Sequence, residues 1–208
     1  MKIQPVILSL LLNFLPLNIA LTTVTTSQVA LGQTQETKSS YTNDPNLISP
    51  DTKVDYNSLA QLLAQGEWRK ANDETGQLLL QSSQRQKVGW IRVDDIKKLS
   101  CWDIKTIDSL WKQYSQGRFG FSVQLPIFIE TGNKPGRLIS DDAYLKFADR
   151  IGWRVNGDWV IFIENLDYSL NAPVGHLPNP RPEYEITGGR LQYTAFAQRM
   201  VECKIDTN

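Results

Sequence analysis

Residues 114–124 read Tyr-Ser-Gln-Gly-Arg-Phe-Gly-Phe-Ser-Val-Gln, which sets one guanidinium, Arg118, beside two phenylalanines and two glycines. A planar guanidinium stacks on a flat ring or pairs with a carboxylate. Phenylalanine supplies apolar ring area, and glycine permits close backbone approach and positive φ. The set suits a flat, partly anionic ligand. The same run also fits a helix stop at Gly117 followed by core aromatics, and the residues alone leave both readings open.

Other chemistry is sparse. The chain has a single histidine, His176, and two cysteines, Cys101 and Cys203. It carries no Gly-x-Ser-x-Gly elbow and no glycine-rich phosphate loop, so an enzyme of ordinary type is not expected. Two cysteines and one histidine without close spacing do not make a structural zinc site. Asp103 and Asp108 resemble a carboxylate pair, but Asp103 reads as a helix cap and Asp108 as a residue facing solvent or a neighbouring base. Cys101 and Cys203 either pair, as an oxidising compartment allows, or stay as two buried thiols.

Residues 1–32 read as a targeting segment: Lys2, an apolar stretch from Val6 to Leu21, and Ala30-Leu31-Gly32 as a small-residue end. Asn13, Pro16 and Asn18 interrupt that stretch, which favours a cleaved leader over a spanning anchor. With the leader cleaved, the protein is expected in the periplasm or thylakoid lumen; with it retained, the expectation is peripheral association with a membrane. The 22 basic and 22 acidic residues lose only Lys2 on cleavage, leaving a formal charge of −1. No basic stripe is present, so nucleic acid is not an expected partner.

The elements that must position these residues are mainly helical. Residues 33–53 have the composition of a flexible linker, and 54–208 form one domain. Leu59, Leu62 and Leu63 predict a helix ending at Gly66, and Trp68, Ala71, Thr75, Leu78 and Leu79 predict a second from about residue 67 to 82. A short helix near residues 94–98 precedes a stripe of Ile104, Ile107, Trp111 and Tyr114 closed by Gly117. Val123 to Ile129 alternates like a strand, and Pro126 predicts a helix there that is kinked or starts late. Tyr144, Phe147, Ala148 and Ile151 predict a helix stopped by Gly152, and Asn156-Gly157 predicts a small β-hairpin. Residues 166–189 read as a long loop, followed by a last helix from about Arg190 to Cys203.

Taken in order, Cys101-Trp102-Asp103 to Trp111, the Gly117 to Gln124 run, Gly152-Trp153 and Ala172-Pro173-Val174-Gly175-His176-Leu177-Pro178 resemble the genomes-uncoupled-four family. Its members are tetrapyrrole-binding regulators of chlorophyll synthesis, and the resemblance covers roughly residues 53–205. It implies a compact helical porphyrin-binding core with a long mobile loop, binding protoporphyrin IX or Mg-protoporphyrin IX and stimulating magnesium chelatase through its large subunit. An exported module that senses or sequesters a tetrapyrrole without serving the chelatase is the alternative. A porphyrin site needs apolar walls and one or two cations. The resemblance implies Arg118, Phe119, Phe121, Ser122 and Gln124 most directly, and Arg190 and Arg199 less so. Walls are expected from Phe119, Phe121, Ile127, Trp153 and Leu177, and cations from Arg118, Arg154 and Arg190. His176 either ligates the metal of a metalloporphyrin or hydrogen-bonds its own loop. In the long loop Tyr184 stands where relatives carry bulkier aromatic cover, which implies a ligand bound more weakly by about 1 kcal/mol or a different tetrapyrrole.

Overall fold

The computed structural model describes residues 44–160, 162–179 and 186–205, so the expected leader lies outside the described residues. Their order is α1 (Asn57–Ala64), α2 (Trp68–Ser82), α3 (Val93–Ile96), α4 (Cys101–Tyr114), α5 (Phe121–Glu130), α6 (Asp141–Arg150), β1 (Arg154–Val155), β2 (Asp158–Trp159) and α7 (Ile186–Glu202). The fold is mainly α. Among the described residues no helix is long and apolar enough to cross a membrane.

The periodic segments become helices because each has a stripe to bury. In α1 and α2 the stripe is Leu59, Leu63, Ala71, Leu78 and Leu79; in α4 it is Ile104, Ile107 and Trp111, all in the shared core. The Trp111 indole N–H donates to Thr75 Oγ1 at 3.0 Å, and that hydroxyl donates to Ala71 O at 2.7 Å, so even the polar edge of the largest core ring is satisfied. α1 packs on α2 and α4, α3 on α7, and α5 on α6 and α7. Asn156 at φ 53° and Gly157 at φ 88° form the tight turn of the antiparallel hairpin, pairing Arg154 with Trp159 and Val155 with Asp158.

The domain begins earlier than composition suggests. Residues 44–53, read as linker, are tied down by short-range and tertiary hydrogen bonds. Ser49 is fully buried, Thr52 Oγ1 donates to Asp103 Oδ2 at 2.7 Å, and Ser100 Oγ donates to Asp51 Oδ2 at 2.6 Å. Ser100, not Asp103, caps α4, accepting from Trp102 N and Asp103 N. Asp103 instead faces inward as the anchor for Thr52.

Asp108 is also turned inward, only 6% exposed, where Oδ1 accepts from Ser122 N at 2.8 Å. It thereby caps the start of α5, which runs from Phe121 with Pro126 inside rather than as a strand or a late helix. Pro126 lacks the N–H that would reach Ser122 O, and the cap and tertiary packing outweigh that loss. Gly120 at φ 128° is required at this corner, because an added Cβ would lie 2.8 Å from Asp108 Oδ1.

From Ala172 to Pro178 the long loop is held to the core by hydrogen bonds. Arg118 Nε and Nη2 both donate to Ala172 O, at 3.0 and 2.6 Å. Gly175 N donates to Arg118 O, and Gly120 N to Leu177 O. Gln124 Nε2 donates to Gly175 O and Pro178 O, each at 2.9 Å, while the Trp153 indole N–H donates to His176 O at 2.8 Å. α7 starts at Ile186, a turn before the expected Arg190, with Gly188 and Gly189 inside it. Its far end is held by a Cys101–Cys203 disulfide with Cα atoms 5.1 Å apart, which settles the two-way reading of those cysteines. Closing a span of 102 residues this way stabilises the fold by about 2–4 kcal/mol.

Burial raises the Asp108 pKa, opposed by the Ser122 amide and by Lys112. A carboxyl raised in the fold contributes stability that is full below the ordinary carboxylate range and lost as pH climbs through the raised value. Asp108→Asn keeps an acceptor for Ser122 N without the charge. Its stability relative to the wild type should therefore rise from about pH 4 to about pH 7 in urea unfolding; a constant difference would contradict the assignment. For the loop, Arg118→Ala is expected to cost about 1–3 kcal/mol. Hydrogen exchange should quicken most at Gly175 and Gly120, whose amides bond Arg118 O and Leu177 O.

Candidate ligand cavity

A cavity of about 410 Å³ opens between α2, the turn before α3, the hairpin and α7, within the size range of small-molecule sites. From α2 come Asn72, Asp73, Gln77, Leu79 and Leu80; from the turn before α3, Gly89, Trp90 and Ile91. α5 contributes Phe121 and Gln124, α6 Tyr144, and the segment around the hairpin Trp153 and Trp159. Pro178 and Asn179 close one side, and Gly189, Gln192, Tyr193 and Phe196 of α7 the other.

The walls are aromatic and interlocked. Phe121 meets Phe196 edge to face at 4.8 Å between centroids, and Tyr193 packs against Trp153 at 5.6 Å. Two arginines stand against lining rings: Arg85 at 5.5 Å from the Trp90 centroid and Arg154 at 5.8 Å from that of Trp159. The Tyr193 hydroxyl donates to Gln124 Oε1 at 3.1 Å, and burial, then Tyr144, pushes its pKa well above the ordinary value. Among the described lining residues there is no lysine, arginine or histidine. Asp73 is the one lining carboxylate among them, its pKa raised by partial burial and opposed by Arg69.

Of the residues expected at the site, Phe121, Gln124 and Trp153 line this cavity. The rest serve the frame. Arg118 holds Ala172 O, and Phe119 is fully buried against Trp68 and Trp111 at 5.8 and 6.3 Å. Ile127 and Leu177 are buried, with Ile127 beneath Gly175. Arg154 pairs with Asp149 at 2.9 Å and donates to Gly157 O; Arg190 pairs with Asp141. Arg199 donates to Leu99 O at 2.9 and 2.7 Å from Nε and Nη2. His176 has both ring nitrogens engaged, Nδ1 at 2.7 Å from Ile151 O and Nε2 accepting from Asp167 N, so neither is left for a metal. Tyr184 lies outside the described residues.

Sequence reasoning missed the contribution of α2 and the turn after it. Trp90 after Gly89, 39% exposed in the structure, is the residue whose type and setting could have signalled a wall.

A family model described as GUN4-like matches residues 49–185. An uncharacterized protein, ycf53, of Pyropia yezoensis is 34% identical over 128 residues, 61% of this chain and 50% of that one. The chloroplastic tetrapyrrole-binding protein of Arabidopsis thaliana is 31% identical over 132 residues, 62% of this chain and 49% of that one. The chain thus spans about half the length of the curated relatives it matches. Among solved structures, GUN4 from Chlamydomonas reinhardtii is similar with a TM-score of 0.54 and 31% identity, covering 74% of this chain and 93% of that one. Ligand-free GUN4 of Arabidopsis thaliana is similar with a TM-score of 0.55 and 27% identity, covering 69% and 96%. By its motifs, its helical core and the span of the matching family model, the chain belongs to the GUN4-like family.

Proposed function

We propose that the aromatic cavity binds a tetrapyrrole, protoporphyrin IX or Mg-protoporphyrin IX, and that the protein acts by carrying or presenting the pigment rather than by catalysis. The observation that carries this is the set of aromatic rings from Trp90, Phe121, Trp153, Trp159, Tyr193 and Phe196 around one 410 Å³ space in a GUN4-like core. A flat apolar macrocycle matches such walls. The Arabidopsis relative's name as a tetrapyrrole-binding protein supports the same ligand class. Because Arg118, Arg154 and Arg190 are engaged within the fold, the pigment's oxygen-bearing edge falls to neutral donors. His176, with both nitrogens occupied, holds no axial metal in this proposal.

Two settings follow for the same site. In one the pigment is passed to or from the large subunit of magnesium chelatase. In the other, favoured by the Lys2 and Val6–Leu21 leader pattern, the chain is exported or membrane-associated and senses or sequesters pigment away from the chelatase. Fractionation of cells producing the full chain with a C-terminal tag separates them, a cytosolic full-length product favouring the chelatase.

Pigment binding is tested by titrating the full chain at micromolar protoporphyrin IX, with a red-shifted Soret band and tryptophan quenching expected. Trp90→Ala should weaken binding about 3- to 10-fold, the worth of one aromatic wall. An unshifted Soret band with unquenched tryptophan would sink the proposal.

A further inference from the structure

Three glycines line the cavity: Gly76 from α2, Gly89 from the turn before α3, and Gly189 from α7. A glycine has no side chain to turn toward a space or away from it, so at these positions the backbone itself borders the cavity. Gly89 is explained by its turn, with φ at 83°. Gly76 and Gly189 lie within helices, where no left-handed turn calls for them and where glycine is the weakest helix former after proline. The backbones of α2 and α7 are thus both bared to one space.

Packing does not call for glycine at position 189 either. A Cβ added there would meet, beyond its own helix and among the described residues, only the Tyr144 hydroxyl, at 3.8 Å. That is an ordinary van der Waals contact, and Tyr144 is itself a lining residue. Gly120 differs, since a Cβ there would press on Asp108 at 2.8 Å. At about 410 Å³ the cavity lies toward the low end of the range of small-molecule sites, roughly 300–1,000 Å³, so the depth of each wall matters to a macrocycle. The space that a methyl group at position 189 would take is left open by the protein.

We propose that Gly189 is a ligand-contacting residue of this cavity, its bare backbone letting the face of a flat macrocycle come to van der Waals distance of α7. This rests on the cavity being the tetrapyrrole site. Carbon atoms in contact stand about 3.5–4.0 Å apart, so a Cβ projecting from the helix would hold the ring plane further out or tilt it against the opposite wall. Glycine at this position weakens the helix without pigment and improves the fit with it. Stability given up at a position that touches ligand is the pattern expected of a functional site.

The test reads stability and affinity side by side on the full chain, comparing Gly189→Ala and Gly189→Leu with the wild type and using protoporphyrin IX as the probe. Without pigment, the urea midpoint of Gly189→Ala should stay at or rise above that of the wild type, because alanine suits a helix better and restricts the unfolded chain. Kd, read from the Soret shift, should nonetheless rise about 5- to 10-fold for Gly189→Ala and further for Gly189→Leu. Affinity lost while stability is kept or gained is a result that a merely structural glycine does not give. Unchanged or tighter binding by Gly189→Ala, or a lowered urea midpoint that accompanies its loss of binding, overturns the proposal while leaving the cavity as the pigment site. Failure of the wild type to bind protoporphyrin IX overturns both.

Discussion

Satisfying the backbone of residues 172–179 is the constraint on which the rest depends. Two of those residues, Pro173 and Pro178, are prolines, and none of the segment lies in a helix or strand, so its carbonyls and amides must find partners elsewhere or be exposed. Arg118 takes Ala172 O, Gln124 takes Gly175 O and Pro178 O, Trp153 takes His176 O, and Asn72 takes both backbone groups of Asn179. Four side chains from three parts of the chain converge on one short segment. In consequence α2, the α4–α5 corner and the residues before the hairpin are drawn to one place, and the cavity is the space left between them and α7.

Gln124 shows how structure and site share parts. Its amide nitrogen grips the loop while its oxygen receives the Tyr193 hydroxyl from α7, so one buried residue couples the loop to the opposite wall. α7 is in turn pinned at its far end by the Cys101–Cys203 bridge and by Arg199 on Leu99 O. The start of α5, from which Gln124 projects, is set by Asp108 and by the small size of Gly120. A charge buried to cap a helix is an unusual cost, offset by the position it gives α5.

Much of the helical framework was legible along the chain. Apolar spacing at three and four residues placed α2 within a residue and the bodies of α1, α4 and α6, and Asn156-Gly157 placed the hairpin turn, because these signals depend on local geometry alone. The start of α5 was not legible, since Pro126 argues against a helix locally while its cap comes from Asp108 a dozen residues away. For the same reason Asp103 read as a helix cap and Asp108 as facing solvent or a neighbouring base: nothing adjacent to them reveals Thr52 or Ser122 as partners. In the site, Phe121, Gln124 and Trp153 were found through the motifs, whereas Asn72, Trp90, Tyr193 and Asn179 carry no motif of their own.

By itself the sequence determined a helical domain with a small hairpin, few catalytic groups, and an aromatic and glycine-rich run matching one family. Those properties follow from residue type and short-range spacing. Tertiary structure alone decided that Arg118, Phe119 and His176 support the frame while α2 and α7 supply most of the cavity. Whether a guanidinium meets a ligand or a backbone carbonyl depends on which chain segment arrives opposite it. For Arg118 that segment lies 54 residues away, a separation that local patterning cannot read.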